Sequence, residues 1–372
     1  MSAFVNLDVL GPRDPSRDLL MSAALAPHGT ALSSWQRWKL RDLPPDDRVA
    51  ARWLPLVSWN LRHEPLDNQT ATGLAAVRRQ AWSANAAIWT SAAPVLTRLD
   101  DGGISWMLLK GAAVAWTTYA DPSLRPIGDL DVLVHPESAA RAHAILEGEG
   151  WRSATGRGPG KTAGAHGTNY VKPPRGALDL HAFALRENCH LDADTGFWAR
   201  SVTASIGGVP VRLPCPGDLL LHVCVHGLRW NPVHSCHWVA DAASIIGKAA
   251  GRLDWEALVD ESRRRDVTLQ VHDALDLVRH VAAVDIPAAV FGNLMHPRPS
   301  WRARIERRVK TRPLYGPGGL LLMWFDWRRL RASHPQENTI GFPDYLAASM
   351  RLASSRAIVP AMTRHLMRRF SA

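Results

Sequence analysis

Asp129 and Asp131 stand two residues apart in the run Asp-Leu-Asp-Val-Leu-Val at 129–134. On a strand, a period of two sends both carboxylates to one face and turns Leu130 and Val132 toward the interior. Two like charges that close repel unless a cation lies between them, and a divalent metal is the natural partner. Asp179 sits in a second short apolar run, between Leu178 and Leu180. If the two runs pair as strands, a third carboxylate joins the first two. Three carboxylates on adjacent strands suit two Mg²⁺ ions ~3.5–4 Å apart, which orient the attacking and leaving oxygens in phosphoryl or nucleotidyl transfer. Asp-x-Asp alone is common on exposed strand edges, so the reading needs a second feature. Residues 106–113, Trp-Met-Leu-Leu-Lys-Gly-Ala-Ala, supply it. They predict a strand ending at a glycine that opens a helix, where the backbone N–H groups of Gly111 and Ala112 form a phosphate site. Gly111 lets a triphosphate approach the backbone closely. Lys110 and Arg125 are the cations placed to contact phosphates or substrate.

These residues must be held by an α/β core, and the pattern supplies one. Residues 1–99 read as helical, with apolar residues at three- and four-residue spacings over 34–40, 45–61 and 70–99. Asp100-Asp101-Gly102-Gly103 is a turn signal. Then follow a strand at 104–109, a helix at 112–120, a strand at 129–134, a helix at 137–149, a Gly-rich loop at 153–167 and a strand at 178–183. After residue 186 the pattern reads helical again, most clearly over 216–229, 237–247, 254–265 and 267–284. Beyond Pro287 it is patchier, with helices expected near 320–331 and 343–356. The division is an N-terminal helical segment at 1–99, a core at 100–186, a helical domain at 187–297 and a basic helical extension at 298–372.

At these residues the chain resembles a known family. The order Leu-Leu-Lys110-Gly-Ala-Ala, Tyr119, Arg125, Asp129-Leu-Asp131, Leu178-Asp179-Leu-His181 is similar to the uncharacterised nucleotidyltransferase family of the DNA polymerase beta-like superfamily. Asp218-Leu-Leu-Leu-His222 with His226, Trp238-Val-Ala-Asp241 and Asp254-Trp255 are similar to its helical region, so the resemblance spans about 32–280. It implies a small mixed-sheet core flanked by helices, with Asp129, Asp131 and Asp179 as metal ligands. The activity implied is transfer of an NMP from an NTP, ATP the first choice, with Mg²⁺ or Mn²⁺, to a small-molecule or peptide acceptor of the kind found in natural-product biosynthesis. The wider superfamily usually opens the helix with Gly-Gly or Gly-Ser. Ala112 follows Gly111 here, so Lys110 or Arg125 replaces the serine hydroxyl. The rival is a non-catalytic binding module on the same fold, supported by the altered turn and opposed by the intact trio of repelling aspartates.

Composition narrows the partners. Hydrophobic residues make up 46% of the 372-residue chain, which excludes wholesale disorder. No apolar run reaches the ~18 residues of a membrane span. Residues 1–20 lack a basic and apolar leader, and the four cysteines form no Cys-x-x-Cys, so a cytoplasmic protein without a disulfide framework is expected. The net charge of +10 is local. Residues 298–372 carry 15 bases against 4 acids, whereas the preceding 297 carry 29 against 30. That argues against a general nucleic-acid binder and for an anionic partner or acceptor near Arg328, Arg329 and Arg331, set against solvated arginines outside a packed helix. Two further signals are discounted. The stretch at 156–162 lacks the P-loop glycine spacing, and His222 and His226 lack the glutamate of His-Glu-x-x-His. His181, on the strand face of Asp179, reads equally as a ligand-orienting or a packed histidine.

Overall fold

Side chains at the helix starts explain where the first elements begin. Asp14 accepts hydrogen bonds from the Ser16 and Arg17 amides (3.0 and 3.2 Å) and opens α1, Pro15–Leu25, with proline at the first helical position. Helix α2 (His28–Lys39) follows, and Asp47 caps α3 (Arg48–Asn60) through the Val49 amide at 2.8 Å. Asp67 caps α4 (Asn68–Asp101) through the Thr70 amide at 2.7 Å. The turn expected at 100–103 begins two residues late, because α4 runs through Asp101. Gly103, at φ +64, then reverses the chain, and the Ile104 amide closes back on the Leu99 carbonyl at 2.9 Å. The structure is a computed structural model and describes residues 14–40, 47–154, 167–229, 236–249, 251–310, 317–333, 341–350, 352 and 354–363.

The core is a five-stranded mixed sheet. Its elements are β1 (Trp106–Leu109), α5 (Lys110–Thr117), β2 (Leu130–Val134), α6 (Ala139–Gly148), β3 (Arg152–Ser153), β4 (Gly167–Lys172) and β5 (Gly176–His181). The strand order is β1-β2-β5-β4-β3, with β2 and β5 parallel and every other pair antiparallel. Every residue of β1 and β2 is buried, as expected for strands covered on both faces. The parallel pairing sets Asp131 opposite Asp179, and the antiparallel pairing sets Leu109 opposite Asp131. This register carries the site.

After the core come α7 (Thr195–Ala199) and a hairpin of β6 (Val202–Ile206) and β7 (Val209–Leu213). The expectation of helix throughout this region missed the hairpin. Its turn is Gly207-Gly208, both at positive φ, which is the backbone a two-residue hairpin turn requires. Helices α8 (Pro216–Gly227), α9 (Trp238–Ala249), α10 (Trp255–Arg264), α11 (Thr268–Ala282), α12 (Ala288–Met295), α13 (Trp301–Lys310), α14 (Pro317–Ser333) and α15 (Phe342–Ser349) complete the chain. One hydrophobic cluster extends from Leu20 to Leu294 and takes in the sheet and the helices on either side of it in sequence. Met323, Leu346, Met350 and Ile358 form a separate small core. No described helix is long and apolar enough to cross a membrane. All four cysteines are free thiols.

Candidate functional site

The register of β2 and β5 assembles a compact cluster. Asp131 is 5% exposed and forms an ion pair with the Lys110 ammonium. His181 Nε2 lies 3.0 Å from Asp131 Oδ1 and 3.0 Å from Asp179 Oδ2. Lys110 Nζ is 3.3 Å from the same imidazole nitrogen. Ligand atoms of Asp131, Asp179 and His181 all fall within 4.8 Å of one another. Asp129 lies one residue before β2, half-buried. It adds its charge to the cluster without entering that 4.8 Å group.

The charges here are unequal by design of their surroundings. Burial, then the neighbouring Asp131 and Asp179, push the Asp129 carboxyl up to about 6. Burial opposes the ionised form of Asp131 too, but Lys110 and His181 outweigh it and hold that carboxyl well below its usual range. His181 is raised: burial and Lys110 disfavour its cation, while Asp179 and Asp131 favour it more strongly. Asp179 Oδ1 is buried with no hydrogen-bond partner among the described residues. A Cβ at Gly167 would come within 3.0 Å of that oxygen and of His181 Nδ1, so glycine keeps the space beside them open. An orphaned carboxylate oxygen among oxygen and imidazole donors fits a divalent cation.

The phosphate side begins where β1 meets α5. Lys110 has φ +47, a left-handed conformation that costs a non-glycine residue roughly 1–2 kcal/mol. The start of α5 has no side-chain cap. Gly111 lies close against Arg125: a Cβ there would meet Nη2 at 3.0 Å and push the guanidinium aside. Ala112 is fully buried and can offer only its backbone. Arg125 reaches the same corner, but its Nε and Nη2 are held by Asp241 at 2.7 and 2.9 Å and its Nη1 donates to the Pro126 carbonyl at 2.7 Å. Asp241 also accepts from Tyr119 Oη at 2.9 Å. Two of those partners, Tyr119 and Arg125, precede the Asp129 strand, so α9 grips the segment that leads into it.

Asn85 grips the same segment from the other side. It is 2% exposed on α4, its Nδ2 donates to the carbonyls of Pro122 and Arg125 (2.8 and 3.0 Å), and its Oδ1 accepts from the Ile127 amide at 3.0 Å. Sequence reasoning missed it, because a lone asparagine in a long helical pattern reads as a polar-face residue.

Comparison with known proteins joins this geometry to a lineage. A sequence profile of the uncharacterised nucleotidyltransferases matches residues 49–283, from α3 through α11, and takes in every residue of the cluster. The chain belongs to that nucleotidyltransferase family. Among solved structures it is similar to an antigenic nucleotidyltransferase-like protein from Paracoccidioides brasiliensis, at 19% identity over 56% of this chain and 96% of that one, with a TM-score of 0.34. The assignment does not rest on that likeness. No curated protein matches.

Other candidates fall outside the Asp131–Asp179–His181 cluster. His222 is fully buried on α8, both ring nitrogens lack hydrogen-bond partners among the described residues, and burial drives its pKa well below the usual imidazole value. His226, one turn on, is exposed, with the two ring centroids 6.2 Å apart. Neither joins a metal-ligating group among the described residues. The glycine-rich stretch at 156–162 and His234 lie outside the described residues. In the basic extension, Arg329 pairs with Glu306 and Asp326, whereas Arg328 and Arg331 are exposed and lie over Trp324 and Trp327.

Proposed function

We propose that the protein is a Mg²⁺-dependent nucleotidyltransferase that moves an NMP from an NTP, ATP being the first choice, to an oxygen of a small-molecule or peptide acceptor in the cytoplasm. The observation that carries this reading is the pairing of Asp131 with Asp179 across parallel strands, with one carboxylate oxygen left buried and unpartnered beside a glycine. Asp129, Asp131 and Asp179 would hold the divalent ions, and His181 would fix the orientation of Asp131 and Asp179. When bound, such ions stabilise the charge that builds on the attacking and leaving oxygens. Lys110 and the first amides of α5, Gly111 and Ala112, would bind the triphosphate. Arg125, already paired, would stiffen that corner and lend it residual positive charge. In the transfer, the acceptor oxygen bonds to the α-phosphorus, the bond to the β-phosphate bridge breaks and pyrophosphate leaves. The acceptor proton passes to solvent. Under this reading the core is residues 100–186, between the helical segment at 1–99 and the helical domain at 187–297, and 298–372 presents basic side chains to an anionic acceptor or partner.

The test is transfer of label from α-labelled NTP into acceptors from a cell extract. Asp131→Asn should reduce transfer to background while leaving the thermal melt cooperative. Label transfer at the wild-type rate by that variant, or by wild type in excess chelator, would sink the assignment. Failure of wild type to bind any NTP at millimolar concentration favours the non-catalytic module.

A further inference from the structure

Helix α5 begins at the carboxylate cluster and ends, eight residues later, at a different cavity. At ~1.5 Å per residue the two lie about 11 Å apart along the helix, so a molecule in the second cavity does not touch the first site. The cavity holds about 430 Å³ between the β6–β7 hairpin, the start of α8 and the end of α9, within the ~300–1,000 Å³ typical of small-molecule sites. Its lining is apolar: Ala204 and Val202 from one face of β6, Leu213, Leu219 and Ile245. Thr117 and Thr118 also line it, but their hydroxyls already donate to the Ala113 and Val114 carbonyls.

The polar groups gather at one end. Ile245, Lys248 and Ala249 follow a three- and four-residue spacing on α9, and Arg252 lines the same cavity from just past the helix end, so a buried isoleucine gives way to two exposed bases. Neither Lys248 nor Arg252 has a carboxylate partner among the described residues. Arg252 Nε donates to the Ala249 carbonyl at 3.3 Å, which fixes the base of its guanidinium beside the end of α9.

We infer that this cavity binds a monoanionic amphiphile, an apolar body of about ten carbons bearing a carboxylate, with the body against Ala204 and Ile245 and the head group at Lys248 and Arg252. An apolar cavity wets poorly when empty, and a body that fills it gains contacts the lining otherwise lacks. The head group remains at the lip, where a carboxylate keeps part of its hydration and meets two cations. The inference does not depend on the nucleotidyl-transfer reading.

Calorimetric titration of the full-length protein tests it, with sodium decanoate below its micelle concentration and decan-1-ol as the uncharged control. Wild type should bind one decanoate per chain. The double variant Lys248→Gln/Arg252→Gln, altered only at exposed positions, should bind decanoate about tenfold more weakly and decanol unchanged, and the difference should shrink in high salt. Ala204→Phe, which fills the cavity, should abolish binding of both while retaining a cooperative melt. Absence of decanoate binding by wild type at millimolar concentration overturns the inference. So does a decanoate affinity unmoved in both variants, or equal weakening of decanoate and decanol in the charge variant.

Discussion

Lys110 sits at the junction of the two halves of the candidate site. Its left-handed backbone turns the chain from β1 into α5, and its ammonium reaches Asp131. Strain of this kind persists where surrounding contacts over-determine it, and functional sites are where it concentrates. The ammonium neutralises the carboxylate that a divalent ion would also claim, so the two cations compete for one anion. Lys110→Met, which keeps the length of the side chain and removes its charge, should therefore bind Mn²⁺ about three- to tenfold more tightly by calorimetry. Under the proposed function NTP binding should weaken in the same variant, because the ammonium that would contact the phosphates is gone. Unchanged or weaker Mn²⁺ binding would show that Lys110 does not contest the metal position. The spacing of Asp129, Asp131 and Asp179 made their shared strand face legible in the sequence, because a period of two is local information. The Lys110–Asp131 pair was not legible. It depends on an antiparallel register between β1 and β2 and on a backbone conformation that lysine seldom adopts.

The elements hold the site by gripping one irregular segment. Residues 122–127 lead into β2 and hence into Asp129 and Asp131, with Asn85 of α4 on one side and Asp241 of α9 on the other. Asn85→Leu keeps the branched shape but strands the buried Ile127 amide, at a cost of about 1–3 kcal/mol, and releases two part-buried carbonyls that water can still reach. We expect a loss of about 2–3 kcal/mol in urea unfolding and weaker Mn²⁺ binding, because the strand that presents the carboxylates loses its anchor. A stability loss with metal affinity intact would confine Asn85 to folding. Long-range anchors of this sort are invisible to periodicity, and so were β3 and β4, which sit next to the glycine-rich loop expected at 153–167. The β6–β7 hairpin is different. Gly207-Gly208 flanked by Val202, Thr203, Val209 and Val211 is a hairpin signal that the helical composition of the neighbouring segments overrode.

Across the whole molecule the charges form networks whose acid response has a definite sign. Burial alone would raise Glu261, yet Arg264 and Arg265 hold it at about 2, and Asp241 is held lower still against its burial by Arg125 and His237. A carboxylate depressed in the folded state stabilises the fold fully above its unfolded pKa of ~4.3, and that contribution is lost as pH falls through the folded value. Asp129, raised to about 6, has the opposite sign: the fold bears an unfavourable charge above that pH and is relieved as pH falls toward 5. Part of the excess charge of the C-terminal fifth is offset by pairing, Arg302 with Glu306 at 3.2 Å and Arg307 with Asp273 at 2.7 Å. The relief at Asp129 is opposed by His222 and His237, which burial keeps neutral in the fold but which protonate at ~6.5 when unfolded, so the melting temperature should fall gently from pH 7 to about 5 and then steeply between about 4.5 and 2. Glu261→Gln should melt lower than wild type at pH 7 and lose less on acidification, since its part of the acid limb is already gone. Calorimetric scans of both proteins from pH 7 to 2 measure this directly. A wild-type melting temperature that rises as pH falls from 7 to 4 would mean that relief of buried carboxylates such as Asp129 outweighs both the buried histidines and the arginine-held carboxylates.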